Sequence, residues 1–153
     1  MTAPTDLVTA YVEHLRARVR LTQSKAKRRS GDEDLAVLPS SLASLCTTKP
    51  RECLEIIIAA LREVDTPELV RAIGDGLLED LINEKSDVLA DAVEDQLRTN
   101  QRFRQAFSCG HHASVDPAIT AGWVKVLRDL GTTKTAERKR LWRSVTPAPD
   151  SSE

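Results

Sequence analysis

Aromatic side chains are scarce in this chain: two Trp, one Tyr and two Phe, 3% of 153 residues. Apolar residues nonetheless make up 41%, so the expected core is aliphatic, built from Leu, Ile, Val and Ala. The shortage of flat rings also removes the stacking platforms on which single-stranded nucleic acid is commonly held. Apolar runs of the roughly 18 residues that a membrane span requires are missing, so no membrane contact is expected. Residues 1–5 lack the charged-then-apolar layout of a signal peptide. Cysteine is limited to Cys46, Cys53 and Cys109. An odd number without a leader reads as reduced thiols in a cytoplasmic protein, and a disulfide framework is not expected. Neither sign of charge dominates, with 22 Lys+Arg against 23 Asp+Glu and a net charge of −1. That balance argues against a disordered chain and against one basic throughout.

What is present is a helical period. Leu7, Val8, Tyr11, Leu15 and Val19 form one apolar stripe. Residues 24–34, with Lys25, Lys27, Arg28, Arg29, Ser30 and Gly31, offer little to bury and are expected to be a mobile basic loop. A short apolar patch at Leu35–Leu38 stops at Pro39, and a helical turn over Leu42–Cys46 follows. Pro50 suits the first turn of a helix, where its missing N–H costs nothing. From Cys53 to Val64 that helix is apolar almost all round, which predicts a buried central element with Cys53 as a small core residue.

Thr66-Pro67-Glu68 is a strong helix start: a capping hydroxyl, a proline, then an acid in the first turn. The stripe Leu69, Val70, Ile73, Leu77, Leu78, Leu81 and Ile82 predicts one helix through Ile82. Inside it Gly74 and Gly76 should each cost about 1 kcal/mol against Ala, so the close approach of a neighbouring helix is expected. Ser86-Asp87 opens another helix with Val88, Leu89, Ala92, Val93 and Leu97. Asn100 can cap a short helix bearing Phe103 and Phe107. Asp116-Pro117 repeats the cap-then-proline signal before Ile119, Trp123, Val126, Leu127 and Leu130, and Gly131 is placed to end that helix. A basic helix over residues 135–143 and a disordered tail over 146–153 complete the reading. No stretch alternates like a strand. The prediction is an all-α fold of about six to seven short helices, one domain over residues 1–145, with short links imposing HEAT-like antiparallel packing.

Charge is segregated along the chain. From Glu63 to Asp95 there are eleven acids against two bases, Arg71 and Lys85. From Tyr11 to Arg29 there are seven bases against one acid, Glu13, and from Lys125 to Arg143 seven bases against Asp129 and Glu137. Acidic and basic helices can pack on one another, or the acidic ones can face a basic partner, where complementary charge steers association and rejects wrong partners.

Groups with the chemistry of a reactive site are few. Cys109-Gly110-His111-His112 is the only local cluster of potential ligands, but zinc usually takes two separated pairs, and neither CxxC nor HExxH occurs. A polar loop is the expected reading there. Asp75, Glu79 and Asn83 share a helix face at spacings of four, with Asp80 and Glu84 nearby, which reads as a solvated acidic face or as a cation or partner site. No catalytic residue, metal or cofactor is assigned, and the chain is not expected to be an enzyme.

Ile73-Gly74-Asp75-Gly76-Leu77-Leu78-Glu79-Asp80-Leu81-Ile82 and the later Asn100-Gln101-Arg102-Phe103-Arg104 resemble a bacterial domain-of-unknown-function family, family 6869. Its hallmark is a Gly-Pro-Leu-Glu-Asp-Leu-Leu run, then a helix, then Arg-Phe-Arg. Gly76, Leu78, Glu79, Asp80, Leu81, Phe103 and Arg104 match. Leu77 stands in place of the proline, and Ser108–His112 departs from the family's glycine-rich turn and tryptophan. The likeness is convincing over residues 50–107. It implies an all-α domain with no catalytic residues to carry over, and it makes Arg104 a candidate internal partner for Glu79 or Asp80.

These observations together predict a small cytoplasmic bacterial protein that binds another, basic, protein, with toxin-neutralising immunity proteins as one natural class. The surface expected to do so comprises Asp75, Glu79, Asp80, Glu84, Asp87, Asp91 and Asp95. The alternative is a nucleic-acid-associated regulator using Arg16, Arg18, Arg20, Lys25, Lys27, Arg28 and Arg29. Nothing in the sequence indicates an oligomeric state.

Overall fold

A computed structural model of the chain describes residues 5–23, 38 and 40–130. Among them the secondary structure is seven α-helices and no strand, as the periodicity predicts. The expected basic loop over 24–34, the helix over 135–143, the helix stop at Gly131 and the tail over 146–153 lie outside the described residues. The chain divides into two compact units, residues 1–73 and 74–153. No helix among the described residues is long and apolar enough to cross a membrane.

The first unit contains α1 (Thr5–Gln23), α2 (Ser40–Thr48), α3 (Pro50–Glu63) and nearly all of α4 (Pro67–Gly74). Both α1 and α2 pack on α3. The central position of α3 follows from its composition, because Cys53, Leu54, Ile56, Ile57, Ile58, Ala60 and Leu61 are all buried. Val8, Tyr11, Val12, Leu15 and Ala17 are the buried apolar residues of α1, while α2 buries only Leu42 and Cys46. The N-cap of α4 forms as predicted, with Thr66 Oγ1 accepting the Leu69 N–H at 3.3 Å.

One expectation fails in this unit. Cys46 and Cys53 are not separate reduced thiols: they are joined as a disulfide, their Cα atoms 5.3 Å apart. The link from α2 to α3 is a single residue, Lys49, so the two helices fold back and bring the cysteines within bridging distance. Cys109 is not part of a disulfide.

The second unit comprises α5 (Leu77–Thr99), α6 (Gln101–Phe107) and α7 (Pro117–Asp129), and both α6 and α7 pack on α5. Two helix boundaries differ from the prediction. The single helix expected from Pro67 to Ile82 is broken by a turn at Asp75-Gly76, where two glycines within three residues remove helix propensity. The boundary expected at Ser86 is instead a kink inside α5, where Lys85 leaves helical geometry (φ −127°, ψ 23°). The two later caps form as predicted. Asn100 Oδ1 accepts the Phe103 N–H at 3.1 Å, and Asp116 Oδ1 accepts the Ala118 N–H at 2.8 Å.

The scarce aromatic residues are concentrated rather than absent from the interior. Trp123, Tyr11, Phe103 and Phe107 are among the largest fully buried side chains. Phe107 meets Trp123 edge-on with ring centroids 5.7 Å apart, and the Trp123 indole N–H donates to the Ala90 carbonyl at 3.2 Å, tying α7 to α5. The core of this unit is therefore partly aromatic, where the composition suggested an aliphatic one.

Candidate functional site

The start of α5 holds the loop that joins α6 to α7. Glu79, in the first turn, accepts the His111 backbone N–H on Oε2 at 2.6 Å. One turn later Asn83 donates from Nδ2 to the His111 carbonyl at 2.8 Å and accepts the Ser114 N–H on Oδ1 at 3.1 Å. Positions four apart share a helix face, so two side chains satisfy three backbone groups of a loop without ladder partners of its own. The loop lies very close to the chain ahead of α5. A Cβ built on Gly110 would come within 2.7 Å of the Gly74 carbonyl oxygen, and one on Gly74 would overlap the Ala106 carbonyl. Close approach, the reason expected for Gly74, is met here by α6.

His112 fills the space beneath the loop. Its ring stacks on Phe107 at 4.2 Å, and its Nε2–H donates to the Phe107 carbonyl at 3.1 Å. The second ring nitrogen, Nδ1, is buried with no hydrogen-bond partner. Burial lowers the His112 pKa to about 4, against smaller opposing effects of the Phe107 carbonyl and the Glu79 charge. The ring is neutral near pH 7 and works as a packing group. Cys109 Sγ donates to the Gln105 carbonyl at 3.3 Å. The Cys109–His112 stretch is a loop after α6, but Gly110 and His112 in it are buried. Among the described residues no group of three His, Cys, Asp or Glu is placed to hold a metal ion.

The sequence profile of a family of unknown function, DUF6869, matches residues 26–130. The chain belongs to DUF6869. No curated protein and no solved structure matches it. Most of the residues that suggested DUF6869 make structural contacts in this chain, the exposed Asp80 side chain being the exception. Leu78, Leu81 and Phe103 are fully buried, the Gly76 carbonyl accepts the Asp80 N–H at 3.1 Å, and Glu79 clamps the loop. Arg104 Nη1 donates to the Leu97 carbonyl at 2.9 Å. Of the two carboxylates that the resemblance offers Arg104, Glu79 turns to the His111 backbone and Asp80 lies on the exposed side of α5.

The other predicted acids divide by position. Asp80, Glu84, Asp87, Asp91 and Asp95 are all exposed and follow one another along α5 at spacings of three and four, a continuous stripe interrupted only by the kink at Lys85. None of the five forms an ion pair among the described residues. Partial burial and the neighbouring charges of Glu79 and Glu84 raise the Asp80 pKa above its ordinary value. Val88, 46% exposed, sits on the same stretch and is one of two exposed large apolar residues described. Asp75 is exposed in the turn before α5, off the helix. Glu94, which the sequence reading did not select, pairs with Arg98 at 3.2 Å. Asn83 appeared in that reading only as a neighbour of Glu79. An amide one helical turn after a carboxylate was the available signal.

Of the alternative nucleic-acid set, Arg16, Arg18 and Arg20 are exposed on α1. Lys25, Lys27, Arg28 and Arg29 lie outside the described residues.

Proposed function

We propose that this DUF6869 protein is a non-enzymatic binding module whose α5 stripe docks a protein with a basic surface. The observation that carries the reading is the run Asp80, Glu84, Asp87, Asp91 and Asp95, exposed and without cationic partners among the described residues. Carboxylates crowded at helical spacing repel one another and destabilise a helix by a few tenths of a kcal/mol per pair. A basic partner relieves that repulsion when it binds. Val88 offers an apolar contact among the charges, and an interface needs such a desolvated centre inside its polar rim.

The test is capture from the source cell's lysate with full-length protein, with and without nuclease, using wild type and Asp87→Lys/Asp91→Lys. The expected result is one dominant protein that survives nuclease and is lost with the charge-reversed variant. Loss of everything on nuclease treatment would move the assignment to the nucleic-acid regulator.

A further inference from the structure

The first unit holds a reactive group that the acidic stripe does not use, the Cys46–Cys53 disulfide between α2 and α3. We propose that this disulfide is a reducible staple, opened by a dithiol reductant, that sets whether α2 stays docked on α3. The attachment of α2 is meagre. Its nine residues bury only Leu42 and Cys46, while Ser40, Ser41, Ala43, Ser44, Thr47 and Thr48 are exposed. Isolated helices shorter than about 12–15 residues are marginal in water, so α2 depends on what holds it. One of its two buried anchors is the bridging cysteine itself.

The two sulfurs are unequal. Cys46 is 7% exposed and Cys53 is fully buried, so an incoming thiolate reaches the Cys46 sulfur first. Attack there breaks the S–S bond, forms a mixed disulfide on Cys46 and leaves the electron pair on Cys53 as a thiolate. Cys53 lies one turn inside α3, its N–H bonded to the Lys49 carbonyl, and its sulfur takes up a proton to become the thiol as the exchange completes. The second thiol of the reductant then displaces Cys46. The balance is one dithiol oxidised to a disulfide and one protein disulfide reduced to two thiols, with two electrons and two protons transferred. Closure is the same exchange run backwards with an oxidised dithiol. Because α2 packs on α3, whose buried face is made of Cys53, Leu54, Ile56, Ile57, Ile58, Ala60 and Leu61, undocking α2 bares apolar surface in the first unit.

The experiment uses the full-length chain purified without reductant. Maleimide labelling and intact mass should find Cys109 alone reactive, and dithiothreitol should add two hydrogens and make Cys46 and Cys53 reactive. Hydrogen exchange of peptides covering residues 40–48 should accelerate about tenfold or more on reduction, with peptides from α5 unchanged. Cys46→Ser should exchange at the fast rate with and without reductant. Labelling of all three cysteines before reduction would overturn the proposal. So would unchanged exchange in α2, or acceleration equally through α5, which would mean global rather than local opening. Reduction of the wild type decides the matter even if the variant fails to fold.

Discussion

Glu79 and His111, thirty-two positions apart, are joined by a 2.6 Å hydrogen bond from the His111 backbone N–H to the Glu79 carboxylate. A residue that a sequence reading places on an acidic surface is thereby a structural clamp, and Asn83 extends it to Ser114. Glu79→Ala and Asn83→Ala are each expected to cost about 1–2 kcal/mol in urea unfolding. Both side chains hold one loop, so the double variant should cost clearly less than the sum. Additive losses would mean that the two contacts act independently.

Two glycines should respond oppositely to the same change. Gly74→Ala drives a methyl into the Ala106 carbonyl, and such overpacking costs about 1–3 kcal/mol despite the better helix propensity of Ala. Gly122, inside α7, meets nothing closer to a built Cβ than Glu94 Oε1 at 3.9 Å. Gly122→Ala is therefore expected to stabilise by up to about 1 kcal/mol. Thermal melts of the pair check both signs.

The buried His112 makes stability pH-dependent. Its folded value of about 4 lies below the ordinary 6.5, so as pH falls the unfolded chain takes up the proton first. Stability is lost between pH 6.5 and 4 and stops falling, on this account, below pH 4. The gap corresponds to roughly 3 kcal/mol at most. The raised Asp80 pKa acts in the opposite sense, adding stability as its carboxyl is protonated. A His112→Leu variant should show a flatter profile between pH 6.5 and 4 in chemical denaturation. An unchanged slope would place the acid sensitivity elsewhere.

Much of the fold was legible because it is written in local signals. Thr66, Asn100 and Asp116 cap the helices they were expected to cap, and each cap depends only on the residues within a turn of it. The density of apolar residues in Cys53–Val64 likewise announced the central α3, although the helix keeps an exposed face with Glu55, Arg62 and Glu63 where the sequence predicts none. What was not legible depends on distant parts of the chain meeting. Glu79 could be recognised as a clamp only once the loop about thirty residues later was in place, and counting cysteines could not foresee a turn at Lys49 that brings Cys46 to Cys53. The break at Asp75-Gly76 was visible as two costly glycines. Apolar periodicity on both sides concealed it, since two helices can carry one continuous stripe across a turn.

If the acidic stripe is kept for binding rather than for folding, removing its charge should not harm the fold. Asp87→Asn/Asp91→Asn relieves like-charge repulsion along α5 and should leave stability within about 0.5 kcal/mol of wild type, or raise it. A loss of more than that would mean the carboxylates hold the structure together.

Site-specific photo-crosslinking reads the central claim most directly. A benzophenone side chain at Val88 stands among Glu84, Asp87 and Asp91, and one at Arg16 on α1 is the control, both residues being exposed. The expected result is a single nuclease-resistant protein adduct from position 88, absent at position 16 and abolished by Asp87→Lys/Asp91→Lys. Adducts that form equally from both positions, or that persist after charge reversal, would contradict a binding role for the stripe.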